Sequence, residues 1–101
     1  MSLAETVRPH QRVSILIALG QTPGAGLNDS ILHDAVSALG VLSSRSQIRN
    51  ELLWLEENGL VRIDRVTPTL MVATLTSRGR DFLAGNVFID GVKTPSGVNH
   101  G

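Results

Sequence analysis

Hydrophobic residues recur at helical spacing in the first part of the chain, beginning after Pro9. The stripe that follows it consists of Val13, Leu16, Ile17 and Gly20. Pro9 suits the first turn of a helix, where its missing N–H costs nothing, so the pattern predicts a helix over residues 9–19. Ser2 and Glu5 have capping-box spacing, which predicts a short helical lead-in with a break or kink at Arg8 and Pro9.

A second helical pattern follows a loop rich in proline and glycine at residues 21–27. Asn28 is a good N-cap for this helix, and Gly40 is well placed to end it. The apolar residues that repeat between these two positions are expected to point inward. They are Ile31, Leu32, Ala35, Val36 and Leu39.

The third helix has a clear signal at each end. Ser44 and Gln47 have capping-box spacing, and Gly59 supplies a stop, so a helix is predicted over residues 45–58. Its core stripe is Ile48, Leu52 and Leu55. The polar residues at the start of this helix therefore lie on a different face from the core.

After the third helix the pattern changes to an alternation of apolar and polar residues. It predicts strands over residues 60–66 and 70–75, joined by a tight connection at residues 67–69. The strand residues expected to point inward are Val61, Ile63 and Val66. Thr76 can cap a last helix that ends at Ala84 and turns Phe82 and Leu83 inward. The predicted fold class is α+β, mainly helical with a small antiparallel hairpin.

Composition narrows the possible classes of protein. The 101 residues include no cysteine, which excludes disulfide scaffolds, thiolate metal sites and cysteine nucleophiles. The longest apolar run, residues 15–19, is too short to cross a membrane, and the start of the chain lacks the features of a signal peptide. We therefore expect a cytoplasmic protein without a membrane partner. Its organisation is a domain over residues 1–85 and an extended or partly disordered C-terminal extension over residues 86–101.

Two short stretches resemble known regulators. Residues 52–61 read Leu-Leu-Trp-Leu-Glu-Glu-Asn-Gly-Leu-Val, and residues 75–79 read Leu-Thr-Ser-Arg-Gly. They are similar to the end of the recognition helix and to the exit from the second wing strand in MarR, PadR and ArsR-like winged helix-turn-helix regulators. Over its full length, including the Gly-Val-Lys-Thr-Pro-Ser tail at residues 91–96, the chain resembles a family of small winged-helix proteins of Mu-like phages and prophages. The resemblance implies a phage-associated protein with a regulator-like fold, and it supplies no catalytic residue.

The polar face of the third helix has the residue types that contact duplex DNA. Arginine contacts guanine or phosphate, glutamine and asparagine read adenine, and serines at a helix N-terminus suit phosphate. We therefore expect this helix to enter the major groove with its guanidinium and amide tips free to meet the duplex. The candidate DNA-binding residues are Ser43, Ser44, Arg45, Ser46, Gln47, Arg49 and Asn50.

Further arginines follow in the strands and the last helix. Arg62 and Arg65 are candidate phosphate contacts, as are Arg78 and Arg80, although alternation with Asp64 and Asp81 is also typical of a plain charged surface. The chain has 9 lysine and arginine residues in total and 9 aspartate and glutamate residues, so its net charge is zero. A strongly positive surface that would attract DNA is therefore not expected. The alternative is a protein-interaction module that binds a phage or host protein without DNA. For Trp54, core packing against the wing or helix one competes with exposure at such an interface.

The apolar surplus predicts a homodimer, because a single small core has difficulty covering it. The candidate dimer contacts lie in helix one and the tail. They are Ile15, Leu19, Val87, Phe88 and Ile89. The alternative is a monomer whose tail packs back on its own domain.

No residue pattern indicates an enzyme, a cofactor or a metal. The three histidines, His10, His33 and His100, are scattered without ligand spacing. The glycine-rich stretch at residues 20–26 lacks the lysine that a phosphate-binding loop requires. No Ser/His/Asp set or carboxylate pair can be placed in one cleft, so the expected activity is binding.

Overall fold

The computed structural model describes residues 2–22, 24 and 26–95. Within them the chain forms four helices and a three-stranded antiparallel sheet, which confirms the α+β class. The helices are α1 (Leu3–Gly20), α2 (Asp29–Ala38), α3 (Arg45–Glu57) and α4 (Ser77–Leu83). The strands are β1 (Leu27–Asn28), β2 (Val61–Thr67) and β3 (Leu70–Leu75), in the spatial order β1-β3-β2.

Helix α1 is continuous through Pro9, so of the predicted break or kink the break is wrong. The helix begins as its capping residues suggest, because the Ser2 hydroxyl accepts a hydrogen bond from the Glu5 N–H at 3.2 Å. Pro9 cannot donate to the carbonyl of Glu5, which is exposed and can be solvated instead. The turns beyond Gln11 are buried in the core. Their packing holds the helical path on the far side of the proline.

Fewer of the apolar residues of helix α2 are buried than predicted. The Asn28 carboxamide oxygen accepts from the Ile31 N–H at 2.8 Å, which confirms the N-cap. Ile31 and Leu39 are 50% and 43% exposed, so their predicted inward orientation is wrong. Asp29 instead shares the buried stripe with Leu32 and Val36, at the spacing of one helical face.

The predicted core stripe of α3 is confirmed. Ile48, Leu52 and Leu55 are completely buried, and the side chains of Ser44 and Gln47 form the capping box. The hairpin agrees less well at its tip, where Val66 is 60% exposed. The register with β3 shifts between Arg65 and Thr67, so the inward alternation of β2 does not continue to Val66.

The C-terminal segment, residues 86–95, has no α-helix or strand and packs on α1. Ile89 and Val92 belong to the same buried core as the helices and the sheet. The Lys93 N–H also donates to the Pro9 carbonyl at 3.2 Å. The domain boundary placed after residue 85 therefore does not coincide with an edge of the core.

This packing removes most of the candidate dimer contacts from the surface. Ile15, Leu19 and Ile89 are 0%, 3% and 5% exposed, because they pack within their own chain. They are not available to a second copy, which corrects their assignment. Val87 is partly buried against the core, and Phe88 is 72% exposed. The C-terminal segment adds Ile89 and Val92 to the core, while Phe88 and other apolar side chains such as Leu3 and Leu42 remain exposed.

Candidate nucleic-acid interface

An open groove separates the polar face of α3 from the β2–β3 hairpin. It has a volume of about 760 Å³. The core stripe of α3 turns inward, so the opposite side of the helix forms one wall, and the hairpin tip forms the other. Three arginines and no carboxylate are among the lining residues. The lining of this α3–hairpin groove is Arg45, Ser46, Arg49, Asn50, Leu53, Arg65, Thr67, Pro68, Thr69 and Met71.

The two α3 arginines are held by a buried carboxylate. Arg45 donates from Nε to Asp29 Oδ2 at 3.1 Å and from Nη2 to Oδ1 at 3.3 Å. Arg49 Nε lies 3.6 Å from the same Oδ2. The side chain of Asp29 is completely buried, whereas those of Arg45 and Arg49 are 51% and 34% exposed. We call these three residues the open cluster, and their pairing corrects the expectation that both guanidinium tips are free.

The other candidate DNA-binding residues differ in their accessibility. Ser43 is buried, and its hydroxyl accepts from Gln11 Nε2 at 2.9 Å, so it is withdrawn as a DNA contact. The Ser44 hydroxyl accepts from the Gln47 N–H at 3.1 Å, and Gln47 Oε1 accepts from the Ser44 N–H at 2.8 Å. These two side chains hold the start of α3. Ser46 and Asn50 are exposed and line the groove.

Arg65 is the candidate phosphate contact that reaches the groove, and its charge is balanced. It donates from Nη2 to Glu56 Oε1 at 3.0 Å and from Nη1 to Oε2 at 3.3 Å. The hydrogen bonds from Arg65 lower the pKa of Glu56 below its ordinary value. The same hydrogen bonds to Glu56 raise the pKa of Arg65. Both groups are therefore charged at neutral pH.

The remaining arginines do not line the groove. Arg62 is exposed on β2, opposite Thr74 in the register. Arg78 donates to the Asn58 carbonyl at 3.0 Å, and Arg80 donates to the Leu75 carbonyl at 3.3 Å. The last two contacts hold the start of α4 against neighbouring backbone. The structure thus brings together only Arg65 with the α3 arginines.

A second arginine–carboxylate pair lies between α1 and α3. Arg12 Nε donates to Glu51 Oε1 at 2.7 Å, and Nη1 donates to the Gly91 carbonyl at 2.9 Å. The Arg12 guanidinium lies 3.8 Å from the centre of the Trp54 ring, which is partly buried. The prediction that Trp54 packs against helix one is confirmed. We call Arg12, Glu51, Trp54 and Gly91 the closed cluster.

Sequence reasoning missed both buried carboxylates, although a signal for each was present. Glu51 lies beside the apolar stripe of α3, and Asp29 is spaced with Leu32 and Val36 on one face of α2. A charged residue within an apolar stripe needs a partner, because an isolated buried charge is very costly. The partner itself lies 39 residues away for Glu51 and 16 away for Asp29. No local pattern identifies it.

A second groove, the α1–loop groove, is mostly apolar. It lies between the first turns of α1 and the connection from α2 to α3, and its volume is about 950 Å³. Leu3 and Leu42 line it and are 79% and 90% exposed. Such exposed apolar surface is typical of a contact with another macromolecule.

The described residues contain neither a metal-binding cluster nor a membrane-spanning helix. No three of their His, Cys, Asp or Glu side chains lie close enough to hold a metal ion. None of the helices in that part of the chain is both long and apolar enough to span a bilayer. His100 lies outside the described residues.

Comparison with known proteins finds two similar proteins, one of them from a phage. No family model and no solved structure matches it. It is 38% identical over 78 residues to an "Uncharacterized protein" of Haemophilus influenzae, covering 77% of this chain and 76% of the relative. It is 41% identical over 68 residues to "Uncharacterized protein gp26" of Escherichia phage Mu, covering 67% and 70%. The chain therefore belongs to the family of these two proteins, which includes a protein of phage Mu.

Proposed function

We propose that this protein is a winged-helix DNA-binding protein that inserts α3 into the major groove of duplex DNA. The order of its elements supports the proposal. Helices α2 and α3 form the pair expected of a helix-turn-helix, and the β2–β3 hairpin that follows is the wing. A phage-associated regulator or a DNA-recognising accessory factor is the corresponding role.

The observation that carries the proposal is the α3–hairpin groove. Its surface presents three arginines, and all carboxylates that contact them lie outside its lining. Ser46 and Asn50 add exposed hydrogen-bonding groups from the first turns of the helix. Phosphate and base edges are ligands that these side chains bind well. The positive N-terminal end of α3 favours phosphate at the same place.

The net charge of the site limits the strength of binding. Asp29 and Glu56 together offset two of the three arginine charges. Because counterion release scales with the number of neutralised phosphates, we expect a shallow salt dependence and modest affinity. A homodimer that presents two copies of α3 would double the contact, and Phe88 is the exposed residue among its candidate contacts.

Removing the arginines is a poor test of this proposal. Arg45→Ala with Arg49→Ala would leave the carboxylate of Asp29 buried without a partner, which costs about 3–5 kcal/mol of stability. The loss of DNA binding would then be confounded with unfolding. A variant that adds a negative charge on the exposed face avoids this problem.

Ser46→Asp is that variant, and Ser77→Asp is its matched control. Both serines are exposed in the first turn of a helix, where an added carboxylate favours the helix dipole. We expect Ser46→Asp to weaken duplex binding by about tenfold or more, because its charge repels phosphate in the groove. Ser77→Asp should change binding little. Fluorescence anisotropy of a labelled duplex, measured across a salt series, gives both affinities.

The outcome that contradicts the proposal is equal affinity of Ser46→Asp and Ser77→Asp for the duplex. A wild-type protein that binds no duplex at about 50 mM salt contradicts it equally. Circular dichroism of the three proteins checks that α3 and α4 keep their helical content.

A second candidate function is favoured by the α1–loop groove. We infer that a protein-interaction module would use this apolar surface, with Leu3 and Leu42 as anchors. The partner would be a phage or host protein. In that case the protein lacks duplex affinity and Leu42→Asp abolishes partner binding, whereas Ser46→Asp leaves it intact.

A further inference from the structure

Asp29 is a charged residue that has no counterpart in the rest of the buried stripe of α2. It is the first residue of the helix, directly after the Asn28 cap, and its side chain is completely buried. A carboxylate in this position could satisfy itself at the helix N-terminus. The Asp29 carboxylate reaches across to α3, where it contacts the side chains of Arg45 and Arg49.

The two arginines are one helical turn apart, so both lie on the same face of α3. Asp29 Oδ2 lies 3.1 Å from Arg45 Nε and 3.6 Å from Arg49 Nε. One carboxylate oxygen therefore accepts a hydrogen bond from Arg45 and lies within ion-pair distance of Arg49. Both remain partly exposed and line the α3–hairpin groove.

This arrangement restricts the arginines without using all of their donors. A guanidinium carries more N–H groups than the ones that contact Asp29, and the others are available to a ligand. Side chains that are already held in place lose less conformational freedom when a ligand binds. Fixed geometry also favours a base edge or phosphate in one position over others.

We propose that Asp29 is a positioning residue that sets Arg45 and Arg49 for sequence-dependent DNA contact and reduces their attraction to arbitrary sequences. This inference rests on the proposed function. The negative charge of Asp29 cancels one of the two positive charges of Arg45 and Arg49. This lowers the part of the DNA affinity that depends only on phosphate. The position of Asp29 preserves the part of the DNA affinity that depends on where the two guanidinium groups lie.

The test is Asp29→Asn, with Asp34→Asn as the matched control. Both replacements are nearly isosteric, lie on α2 and remove one negative charge, but Asp34 is 82% exposed and contacts only His33 among the described side chains. The probes are a duplex selected from random DNA by the wild-type protein and a scrambled duplex of equal length. Affinity is measured for each over a salt series.

We expect Asp29→Asn to bind the scrambled duplex more tightly, with a log–log salt slope steeper by about one, because one more positive charge is available to phosphate. The preference for the selected over the scrambled duplex should fall about tenfold. Asp34→Asn should leave the preference unchanged. A residue needed only for folding would weaken both affinities together and would not steepen the salt slope.

Two outcomes overturn the inference in distinguishable ways. If wild-type protein discriminates between the duplexes and Asp29→Asn keeps that preference and slope, the positioning role is wrong and DNA binding stands. If wild-type protein binds neither duplex, the proposed function is wrong and the role of Asp29 falls with it. A thermal melt of each variant confirms that the measurements were made on folded protein.

Discussion

The closed and open clusters are both built on a pair of arginine and a buried carboxylate, but they differ in how far the arginine is exposed to solvent. In the closed cluster the side chains of Arg12 and Glu51 are only 12% and 8% exposed, and the Gly91 carbonyl and the Trp54 ring also contact the guanidinium. In the open cluster the carboxylate is buried, but Arg45 is 51% exposed. Arg12 is therefore mostly buried, whereas about half of the Arg45 side chain is exposed in the α3–hairpin groove.

The two clusters differ in whether the C-terminal segment packs on them and in how many cations share each anion. The C-terminal segment lies over the closed cluster, where one cation meets one anion. In the open cluster two cations share one anion, and only the arginines are partly exposed. An excess cation at a solvent-facing surface can still bind a ligand, whereas an enclosed pair serves to join α1 to α3 and to the C-terminal segment. Burial of an ion pair alone therefore does not identify a functional site.

Removing the carboxylate of each cluster gives the largest expected effect. Glu51→Ala leaves the Arg12 guanidinium enclosed without its anion, and we expect a loss of about 3–5 kcal/mol in the free energy of unfolding. Asp29→Ala leaves two arginines that can turn to water, so we expect a loss of only about 1–2 kcal/mol. Urea denaturation followed by circular dichroism measures both values.

Glu57→Ala controls for the loss of a charge from α3. Glu57 is exposed on the same helix, and its replacement should change stability by less than about 0.5 kcal/mol. If Glu51→Ala does not fold, Glu51→Gln retains an acceptor for Arg12 and should show a smaller loss of the same sign. Equal losses for Glu51→Ala and Asp29→Ala would contradict the distinction between the clusters.

The cover of the closed cluster can be tested at Gly91. Its φ is +92°, and a Cβ there would lie 3.0 Å from Arg12 Nη1 and 3.0 Å from Trp54 Cζ2. Gly85 has a φ of +82° but no neighbour within 4 Å of such a Cβ. We expect Gly91→Ala to cost about 2–3 kcal/mol and Gly85→Ala about 1 kcal/mol, because both incur backbone strain and only the former crowds the cluster.

Trp54 provides a local readout of the same change. It is the only tryptophan, so its fluorescence reports on the closed cluster without labelling. The emission should shift in Gly91→Ala and stay unchanged in Gly85→Ala. Identical stabilities and spectra for the two variants would show that the C-terminal segment does not pack tightly against the closed cluster.

The exposed pair of Glu56 and Arg65 should give the smallest effect. The pKa of Glu56 is lowered by its hydrogen bonds to Arg65, so the pair stabilises the fold above the ordinary pKa of glutamate, about 4.5. This contribution is lost as the pH falls through the lower pKa of the folded state. The difference in unfolding free energy between wild type and Glu56→Gln should therefore shrink from pH 7 to pH 3. Glu57→Gln is the control, and a difference that grows at low pH would contradict the sign.

Local sequence signals predicted the elements well where a cap and a core stripe agreed. The capping box at Ser44, the Asn28 cap and the buried triplet of α3 all lie within a few residues of the features they define. The predictions failed where distant contacts decided the outcome. Pro9 stays within a helix because the turns after it pack in the core, and Ile15 and Leu19 are covered by their own chain.

The candidate site was predicted in part for the same reason. Sequence alone placed Arg45, Arg49 and Asn50 on the polar face of one helix, because helical spacing is a local property. It could not show that Asp29 lies beneath two of these residues, or that Ser43 is buried against Gln11.

The sequence by itself determined where α2 and α3 begin, which residues form the apolar stripe of α3, and which polar side chains share the start of that helix. These properties follow from neighbouring residues through caps, turns and periodicity. Only the tertiary structure decided which charges are enclosed and which face the groove. That outcome depends on side chains brought together by packing, where burial makes each charge require a partner that the local sequence does not name.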